Sequence, residues 1–447
     1  MKFTIFFFLV GLLFISCDNT LKEGDTVVRR RQFMNKNLTH IELPHSIRRI
    51  DEFAFANNQI KNIVLPESLL IIEPYAFQNN EIEEIKIPDS VTHIGDYAFF
   101  NNNINHIVFP SSLTSIGANA FRNNNISELI LNSPEITLGD YSFMNNNIIK
   151  LSIRPGIILS NNVFSGNNIE ELTIDEGVIR ISGFANNSIS YLSLPNTLEI
   201  IENNAFNNNM LSSVILPASL VEIGTNAFNE NSLSSITIPR NVRTIGANAF
   251  SQNLLNLVVI SEGVQTIAAN AFSDNLINVL DIPQSVRTIG ANAFSNNPLT
   301  RVKINNTSIS ISNNSFPVEI MPSVLQQIST AVTYDNLARE MSAWQGKRVI
   351  ISGRIGQLSE GSSSNEVRLY LDTSSSIWSL NNERQIFVVY TYSDGEPRFL
   401  RDDNVIIYGI VRGMSDHRST NFLGIESRLQ LPHLNATLIT NNRSDRR

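Results

Sequence analysis

The sequence predicts a mainly β protein, a solenoid of 22-residue turns followed by a small β-barrel. Three observations predict it. Phenylalanine recurs at a nearly fixed spacing, asparagine occupies one position of almost every repeat, and the period stops after Phe316. A period of about 20 to 50 residues is typical of repeat arrays, in which each unit buries its apolar face against the next one.

The phenylalanine spacing sets the length of the repeat. Eleven intervals measure 22 residues, one measures 21 and one measures 20. The positions are Phe33, Phe55, Phe77, Phe99, Phe121, Phe143, Phe164, Phe184, Phe206, Phe228, Phe250, Phe272, Phe294 and Phe316. We expect each turn to place one of these rings in the interior of the array.

Each repeat has three parts. A segment such as 82–87 alternates apolar and polar residues, which predicts a strand with one buried and one exposed face. Proline then ends most of these strands, because it has no N–H to continue a ladder. A return segment follows, such as 242–250, and its glycine is expected to allow a tight turn. These glycines are Gly95, Gly117, Gly224, Gly246 and Gly290.

Asparagine makes up 58 of the 447 residues, an excess over ordinary globular proteins. One column, three residues after Phe, accounts for part of it: Asn58, Asn80, Asn102, Asn124, Asn146, Asn167, Asn187, Asn209, Asn231, Asn253, Asn275 and Asn297. Stacked turns bury backbone that needs hydrogen bonds, and an amide side chain both donates and accepts. We expect a buried ladder in which each amide ties down its own turn and the next. Ligand binding by this column is the alternative.

The repeat I-x-x-I-x-I-P-x-S-V-x-x-I-G-x-N-A-F-x-N-N resembles the BspA-type leucine-rich repeats of bacterial surface proteins. The resemblance covers about residues 33–316 and implies a leucine-rich-repeat solenoid that binds proteins in adhesion. Some repeats depart from the pattern and carry another residue in the proline column, among them Asn132, Arg154, Asp175 and Ser261. A right-handed parallel β-helix is the alternative architecture.

The first 17 residues have the pattern of a lipoprotein signal peptide. Lys2 precedes the apolar run 3–15, which is too short to cross a bilayer but typical of a signal peptide. Ser16 and Cys17 then resemble a bacterial lipobox, which implies acylation of Cys17 and a lipid anchor in the membrane. An ordinary secretory signal with an incidental cysteine is the alternative. Residues 18–32 are predicted to be a tether, and 33–322 the solenoid.

A second domain is predicted over residues 333–440, followed by a tail over 441–447. A short helix ending near Trp344 precedes five strand candidates, at 348–358, 367–372, 385–392, 404–411 and about 422–431. The sequence around Trp344 and Asp402 resembles the OB-like β-barrels of secreted and lipid-anchored bacterial proteins. Such barrels can bind single-stranded nucleic acid. The net charge of −8 argues against a nucleic-acid partner.

The composition argues against several chemistries. A single cysteine excludes an intramolecular disulfide framework and a cysteine-based zinc site. The six histidines have no ligand spacing, and no nucleotide-binding or hydrolase motif is present. Glu84 and Glu171 lie four predicted rungs apart, too far for an acid–base pair. We therefore expect no catalytic residues, no cofactor and no metal.

The exposed side of the strand segments is the candidate binding face. From about residue 189 to 282 it is nearly uncharged and carries apolar side chains, which is typical of a protein-contact surface. The candidate partner-binding residues are Tyr191, Ile215, Thr237, Leu257, Val259, Val279 and Asp281. The alternative is that they are β-forming residues without a partner.

These patterns together predict a lipid-anchored protein of the bacterial cell envelope, at the outer membrane or cell surface. Its solenoid is expected to bind a host or neighbouring-cell surface protein. One alternative is a periplasmic assembly or scaffold protein with an internal partner. Another is an enzyme that acts on envelope glycan.

Overall fold

The computed structural model describes residues 20–312, 314–331, 334–339, 341–360, 366–372, 385–391, 399, 403–420 and 426–441. The predicted signal peptide with Cys17 lies outside these residues, as does the tail from 442 onward. Two compact units divide the chain. Unit 1 is Met1–Val178 with Ser182–Ile189, and unit 2 is Ile179–Ile181 with Ser190–Arg447.

The return segments form a parallel sheet of seven strands in each unit, counted over the described residues. In unit 1 the strands are Val27–Val28, Arg49–Ile50, Ile71–Ile72, His93–Ile94, Ser115–Ile116, Ile136–Leu138 and Ile157–Leu159. In unit 2 they are Arg180–Ile181, Ile200–Ile201, Glu222–Ile223, Thr244–Ile245, Thr266–Ile267, Thr288–Ile289 and Ser310–Ile311. Because Val27–Val28 pairs with Arg49–Ile50, the array begins inside the segment predicted as a tether.

The alternating segments form a second set of parallel strands, here called face strands. In unit 1 they make one sheet of Glu84–Lys86, His106–Val108, Glu128–Ile130, Lys150–Ile153 and Glu171–Ile174. In unit 2 they make two separate pairs: Ser235–Ile238 with Leu257–Ile260, and Val279–Ile282 with Arg301–Ile304. Exposed and buried residues alternate along them. The segments around Tyr191 and Ile215 alternate in the same way but are not strands.

The periodic phenylalanines form the core of both units. All fourteen are buried, and within each unit consecutive rings stack with centroids 5.1 to 5.7 Å apart. Isoleucine, leucine and valine from the two sets of strands surround these rings. The predicted mainly β solenoid is therefore confirmed.

The tight turns do not depend on the five glycines that we expected to form them. None of these glycines has a positive φ. They allow close stacking instead: a Cβ on Gly246 would lie 2.4 Å from the carbonyl carbon of Gly224 in the preceding turn. The left-handed positions lie two residues before and two residues after Phe, and asparagine occupies most of them. Asparagine tolerates this backbone better than other side chains do, which explains a further part of its excess.

The helix Met321–Ile328 covers the end of the array in unit 2. Pro322 lies in its first turn, where a missing N–H costs nothing. Val324 and Leu325 are buried. Gln327 binds the last face strand: its Oε1 accepts from Ile304 N at 2.9 Å, and its Nε2 donates to Val302 O at 2.8 Å. The helix therefore closes an edge that would otherwise be open.

A small β domain completes unit 2. The short helices Tyr334–Arg339 and Met341–Trp344 lie between its first and second strands. Its strands are Thr330–Ala331, Arg348–Glu360, Glu366–Asp372, Gln385–Thr391, Asn404–Thr420 and Glu426–Asn441. The last two extend well beyond the predicted ends of the corresponding strands. Because Arg348–Glu360 pairs with both Glu366–Asp372 and Asn404–Thr420, the five long strands form a closed ring around an apolar core.

The β domain also contacts the array directly. Arg348, at the start of its first long strand, donates a guanidinium hydrogen bond to Ile309 O in the last turn. Burial lowers the pKa of Arg348, because a charge is less well solvated inside the protein.

Candidate functional site

The asparagine column lies inside the array and bonds to backbone. Asn253 is typical: its Nδ2 donates to Phe228 O of the preceding turn at 2.9 Å and to Phe250 O of its own turn at 3.3 Å. Its Oδ1 accepts from Leu233 N at 3.0 Å. The same bonds recur from Asn58 to Asn187 in unit 1, and at Asn231, Asn275 and Asn297 in unit 2. These amides are used for holding adjacent turns together, which leaves them little capacity for a ligand.

A second row of amides runs along the surface, and sequence reasoning missed it. Asn57 Nδ2 donates to Asn35 Oδ1 at 2.9 Å, and Asn79 Nδ2 donates to Asn57 Oδ1 at 2.8 Å. Asn101 continues the row onto Asn79 at 3.0 Å. These residues are the left-handed asparagines two positions after Phe. The double Asn-Asn that follows many of the phenylalanines is the sequence signal for both rows.

The structure separates the seven predicted face residues into two groups. All seven are exposed, with Tyr191 at 73% and Ile215 at 87%. Leu257, Val259, Val279 and Asp281 line one groove of about 580 Å³ in unit 2. Tyr191, Ile215 and Thr237 do not line that groove.

Two further exposed leucines occur in the same two turns as the groove residues. Leu254 and Leu276 lie four residues after Phe in adjacent turns and are 50% and 51% exposed. A bond from Leu276 N to Leu255 O, 3.0 Å long, holds these turns together. The corresponding residues in unit 1 are polar, for example Gln59, Glu81 and Asn103, so the change to leucine was readable from the sequence. We name Leu254, Leu257, Val259, Leu276 and Val279 the apolar patch.

The groove exists because the face sheet of unit 2 is split. Leu257–Ile260 and Val279–Ile282 belong to successive turns, yet they pair with strands on their outer sides and not with each other. At one end of the split, the described residues show no backbone bond from Asn278 to Asn256, although Asn256 N reaches Ser234 O at 3.0 Å.

At the other end of the split, the backbone bond is missing because a proline has no N–H to donate. In the neighbouring pairs, Ser261 N donates to Ile238 O at 3.3 Å and Asn305 N donates to Ile282 O at 3.1 Å. Pro283 occupies the equivalent position opposite Ile260 and has no N–H to donate. The walls of the groove therefore include backbone groups, such as Ile260 O, that form no hydrogen bond across the split.

The polar residues at the groove are acidic or neutral. Glu262 accepts from the backbone N–H groups of Gln284 and Ser285 at 3.1 and 3.0 Å. Asp281 accepts from Asn305 Nδ2 at 2.6 Å and lies 3.7 Å from Lys303 Nζ. Asn256 and Asn278 complete the polar lining, and no lysine, arginine or histidine is among the described residues that line it. The site therefore combines apolar walls with two carboxylates.

A Ser–His–Asn contact in the β domain does not have the geometry of an activated nucleophile. Ser415 Oγ lies 2.9 Å from His433 Nδ1. With the Asn435 amide turned to suit both of its neighbours, its nitrogen donates to His433 Nε2 at 3.1 Å and its oxygen accepts from Arg412 Nε at 3.1 Å. In the neutral ring this places the proton on Nδ1, so Ser415 Oγ accepts a hydrogen bond from the ring and has no base to take its own proton.

The described part of the chain contains neither a cluster suited to a metal ion nor a helix suited to a membrane span. No cluster of three His, Cys, Asp or Glu side chains is arranged to hold a metal ion there. None of the helices in that part of the chain is long and apolar enough to cross a bilayer. Glu84 and Glu171 occupy one column of the unit 1 face sheet, separated by His106, Glu128 and Lys150.

Comparisons with solved structures find similar chains, two of which are described as leucine-rich. One from Bacteroides ovatus is 20% identical, with 69% of this chain and 82% of that chain covered and a TM-score of 0.49. The pneumococcal vaccine antigen PcpA is 19% identical over 71% of this chain and 82% of its own, with a TM-score of 0.36. A leucine-rich cell surface protein from Faecalibacterium prausnitzii is 18% identical, with coverages of 61% and 88% and a TM-score of 0.27. No curated protein matches the sequence significantly.

The family comparison decides between the two predicted architectures. Six copies of the BspA type leucine-rich repeat region match residues 26–150, 157–278 and 245–324. The match begins before Phe33, in agreement with the early first strand, and it favours the leucine-rich-repeat solenoid over the parallel β-helix. Because it covers more than half of the sequence, the chain belongs to the BspA-type leucine-rich-repeat family.

Proposed function

We propose that this chain is a lipoprotein of the bacterial cell envelope whose repeats bind a surface protein of a host or of a neighbouring cell. The apolar patch of unit 2 carries the proposal. Its five side chains are 43 to 56% exposed and lie on two adjacent turns. Contiguous exposed apolar surface with a polar rim marks interaction sites on soluble proteins. Repeat arrays typically bind along such a surface.

A binding role fits the site better than catalysis does. The groove is shallow and lies on the face of parallel strands, and both of its carboxylates already accept hydrogen bonds. Affinity would come from the burial of Leu257, Val259 and Val279 against apolar side chains of a partner.

A pair of matched valine variants tests the binding face. Val259 and Val64 each lie nine residues after a periodic Phe, but only Val259 borders the groove. We expect Val259→Asn, which removes the apolar side chain without adding charge, to weaken binding of a partner isolated from host or neighbouring-cell surface proteins by at least about tenfold. Val64→Asn, at a residue 85% exposed in unit 1, is expected to leave it unchanged.

Affinity of the purified partner for each folded variant is the measurement, after thermal unfolding has shown that both variants fold. Equal affinities for the two variants would place the contact elsewhere.

The lipid anchor is the second part of the proposal. It is supported by the single cysteine, Cys17, directly after a short apolar run. Two acyl chains hold a protein stably on a bilayer. Cys17→Ser should remove incorporation of labelled fatty acid and release the protein from the membrane fraction. Retention of the label in Cys17→Ser would contradict the proposal, and protease treatment of intact cells separates surface display from a periplasmic location.

We also propose that the closed β domain is OB-like. Five strands in a partly open or closed Greek-key barrel are typical of that fold. The parallel pairing of Gln385–Thr391 with Glu426–Asn441, beside otherwise antiparallel neighbours, supports the assignment. No nucleic-acid partner is proposed for it.

A further inference from the structure

We infer that the groove of unit 2 binds an arginine side chain of the partner protein. The inference rests on the proposed function, because it specifies the chemistry that a bound protein presents to the apolar patch. Its basis is a comparison between two equivalent places in the repeat, one in each unit. In unit 1 the chain fills the place with its own arginine, and in unit 2 it does not.

The place in unit 1 lies between the face strands Glu128–Ile130 and Lys150–Ile153. These strands pair at one position only, Glu128 with Lys150. A groove of about 330 Å³ lies between them, and Arg154 is among its lining residues. The half-buried guanidinium of Arg154 donates to Leu131 O and, at 2.8 Å, to Ser133 O. The opening between the strands is therefore bonded by a guanidinium that bridges two carbonyls.

The place in unit 2 is equivalent by repeat position. Ile260 and Glu262 lie ten and twelve residues after Phe250, as Leu131 and Ser133 lie after Phe121. Pro283 lies eleven residues after Phe272, as Arg154 lies after Phe143. Proline provides neither a guanidinium nor an N–H. The fold thus keeps the carbonyls at this place and omits the group that binds them in unit 1.

The surroundings of the unit 2 groove suit a cation better than those in unit 1. Lys150 lines the first groove, whereas Val279 takes the equivalent position in the second. Glu262 and Asp281 add two carboxylates there. Other proline repeats, such as that of Pro239, also lack the N–H, but Pro239 does not line the groove.

Arginine fits this combination for three reasons. Its planar guanidinium can donate to two carbonyl oxygens at once, as Arg154 does. Its charge is attracted by Glu262, whereas Asp281 already lies 3.7 Å from Lys303 Nζ and contributes less. Its apolar stem can lie against Leu257, Val259 and Val279 while the head group reaches the backbone. The partner segment is therefore an exposed arginine flanked by apolar side chains.

The test uses the chain from residue 18 onward, which contains every described residue, and a defined peptide probe. The probe is acetyl-Thr-Val-Arg-Val-Thr-amide, and its match carries citrulline, a neutral isostere, in place of arginine. Binding is followed by the methyl NMR signals of Leu257, Val259 and Val279. We expect saturable shifts with the arginine peptide and binding about tenfold weaker with the citrulline peptide, because a charge-assisted bond is lost.

Two proline variants locate the site. Pro283→Arg should abolish binding of the peptide, because its own guanidinium would occupy the carbonyls as Arg154 does in unit 1. The position accepts arginine in one repeat already, so the variant is expected to fold. Pro239→Arg makes the same change in a repeat position away from the groove and should leave peptide binding unchanged.

Equal binding of the two peptides, or binding that survives in Pro283→Arg, would overturn the inference. So would an absence of shifts at the solubility limit of the arginine peptide. The proposed protein-binding function is judged separately by the neutral Val259→Asn and Val64→Asn pair, which does not depend on an arginine. If Val259→Asn loses the partner and the peptide does not bind, the arginine is rejected and the binding face is kept.

Discussion

At the scale of single residues, the buried asparagine ladder is the bond system that holds one turn to the next. Asn253→Ala would remove bonds to Phe228 O and Phe250 O and leave Leu233 N without its acceptor. A buried polar group without a partner destabilises the fold by more free energy than an average hydrogen bond contributes. We expect the free energy of unfolding to fall by about 2 to 4 kcal/mol in urea titration followed by circular dichroism.

The matched control for the ladder is Asn256→Ala. Asn256 is exposed, and its backbone bond to Ser234 does not depend on the side chain. The expected change is within about 0.5 kcal/mol, as for most surface substitutions. Equal losses for the two variants would mean that the amide column is not what joins the turns.

Gly263 combines a left-handed backbone with close stacking, in contrast to the return-segment glycines. Its φ is +121°, and a Cβ would lie 1.9 Å from Arg240 O. Gly24 has a φ of +101° but no atom within 4 Å of the Cβ position. We expect Gly24→Ala to cost about 1 to 2 kcal/mol from backbone strain alone. Gly263→Ala should cost about 1 to 3 kcal/mol more because of the clash. Equal losses of stability in Gly24→Ala and Gly263→Ala would show that the clash with Arg240 O adds no cost.

At the scale of elements, proline in the proline column limits how far a face strand pairs with the strand of the preceding turn. Asp175 N donates to Ile153 O at 2.9 Å, and the strands Lys150–Ile153 and Glu171–Ile174 pair over four residues. His106–Val108, which is followed by Pro110, pairs with Glu84–Lys86 over three. Asp175→Pro should remove that bond without backbone strain, since proline occupies the same position in other repeats. The expected cost is about 0.5 to 1.5 kcal/mol.

Amide hydrogen exchange measures this effect where it should arise, at the end of the strand Glu171–Ile174. Faster exchange is expected in Asp175→Pro and unchanged exchange in Asp175→Ala, which keeps the N–H. If Asp175→Ala exchanged as fast as Asp175→Pro, the carboxylate and not the backbone would be responsible.

The elements differ in how far the sequence could predict them. Every turn makes the same demands on its interior, so the Phe and Asn columns were visible as periods. The split in the unit 2 face sheet was not visible, because Leu257 and Val279 occupy identical positions in their repeats. It arises from backbone bonds that are missing at Asn278 and Pro283. Proline alone does not predict a split, because His106–Val108 is followed by Pro110 and still pairs with Glu84–Lys86. The exposed leucines Leu254 and Leu276 could be predicted from the sequence, because the same repeat position is polar in unit 1.

At the scale of the whole molecule, a repeat array needs a closed end, because each turn is stabilised by its neighbours and the last one has a neighbour on one side only. The helix Met321–Ile328 provides that end in unit 2, and Gln327 makes the polar part of the contact by bonding Ile304 N and Val302 O. Gln326, the preceding residue, is also exposed and has the same side chain.

Gln327→Ala should therefore open the end of the array, whereas Gln326→Ala should not. We expect a loss of about 1 to 3 kcal/mol in Gln327→Ala, because Ile304 N and Val302 O would lose their partners. Amide exchange should accelerate first in Arg301–Ile304 and less in Val279–Ile282, since coupling in a repeat array passes between neighbours. Uniform acceleration throughout unit 2 would show that it unfolds as one cooperative body, and then the helix would stabilise the whole unit instead of its last turn.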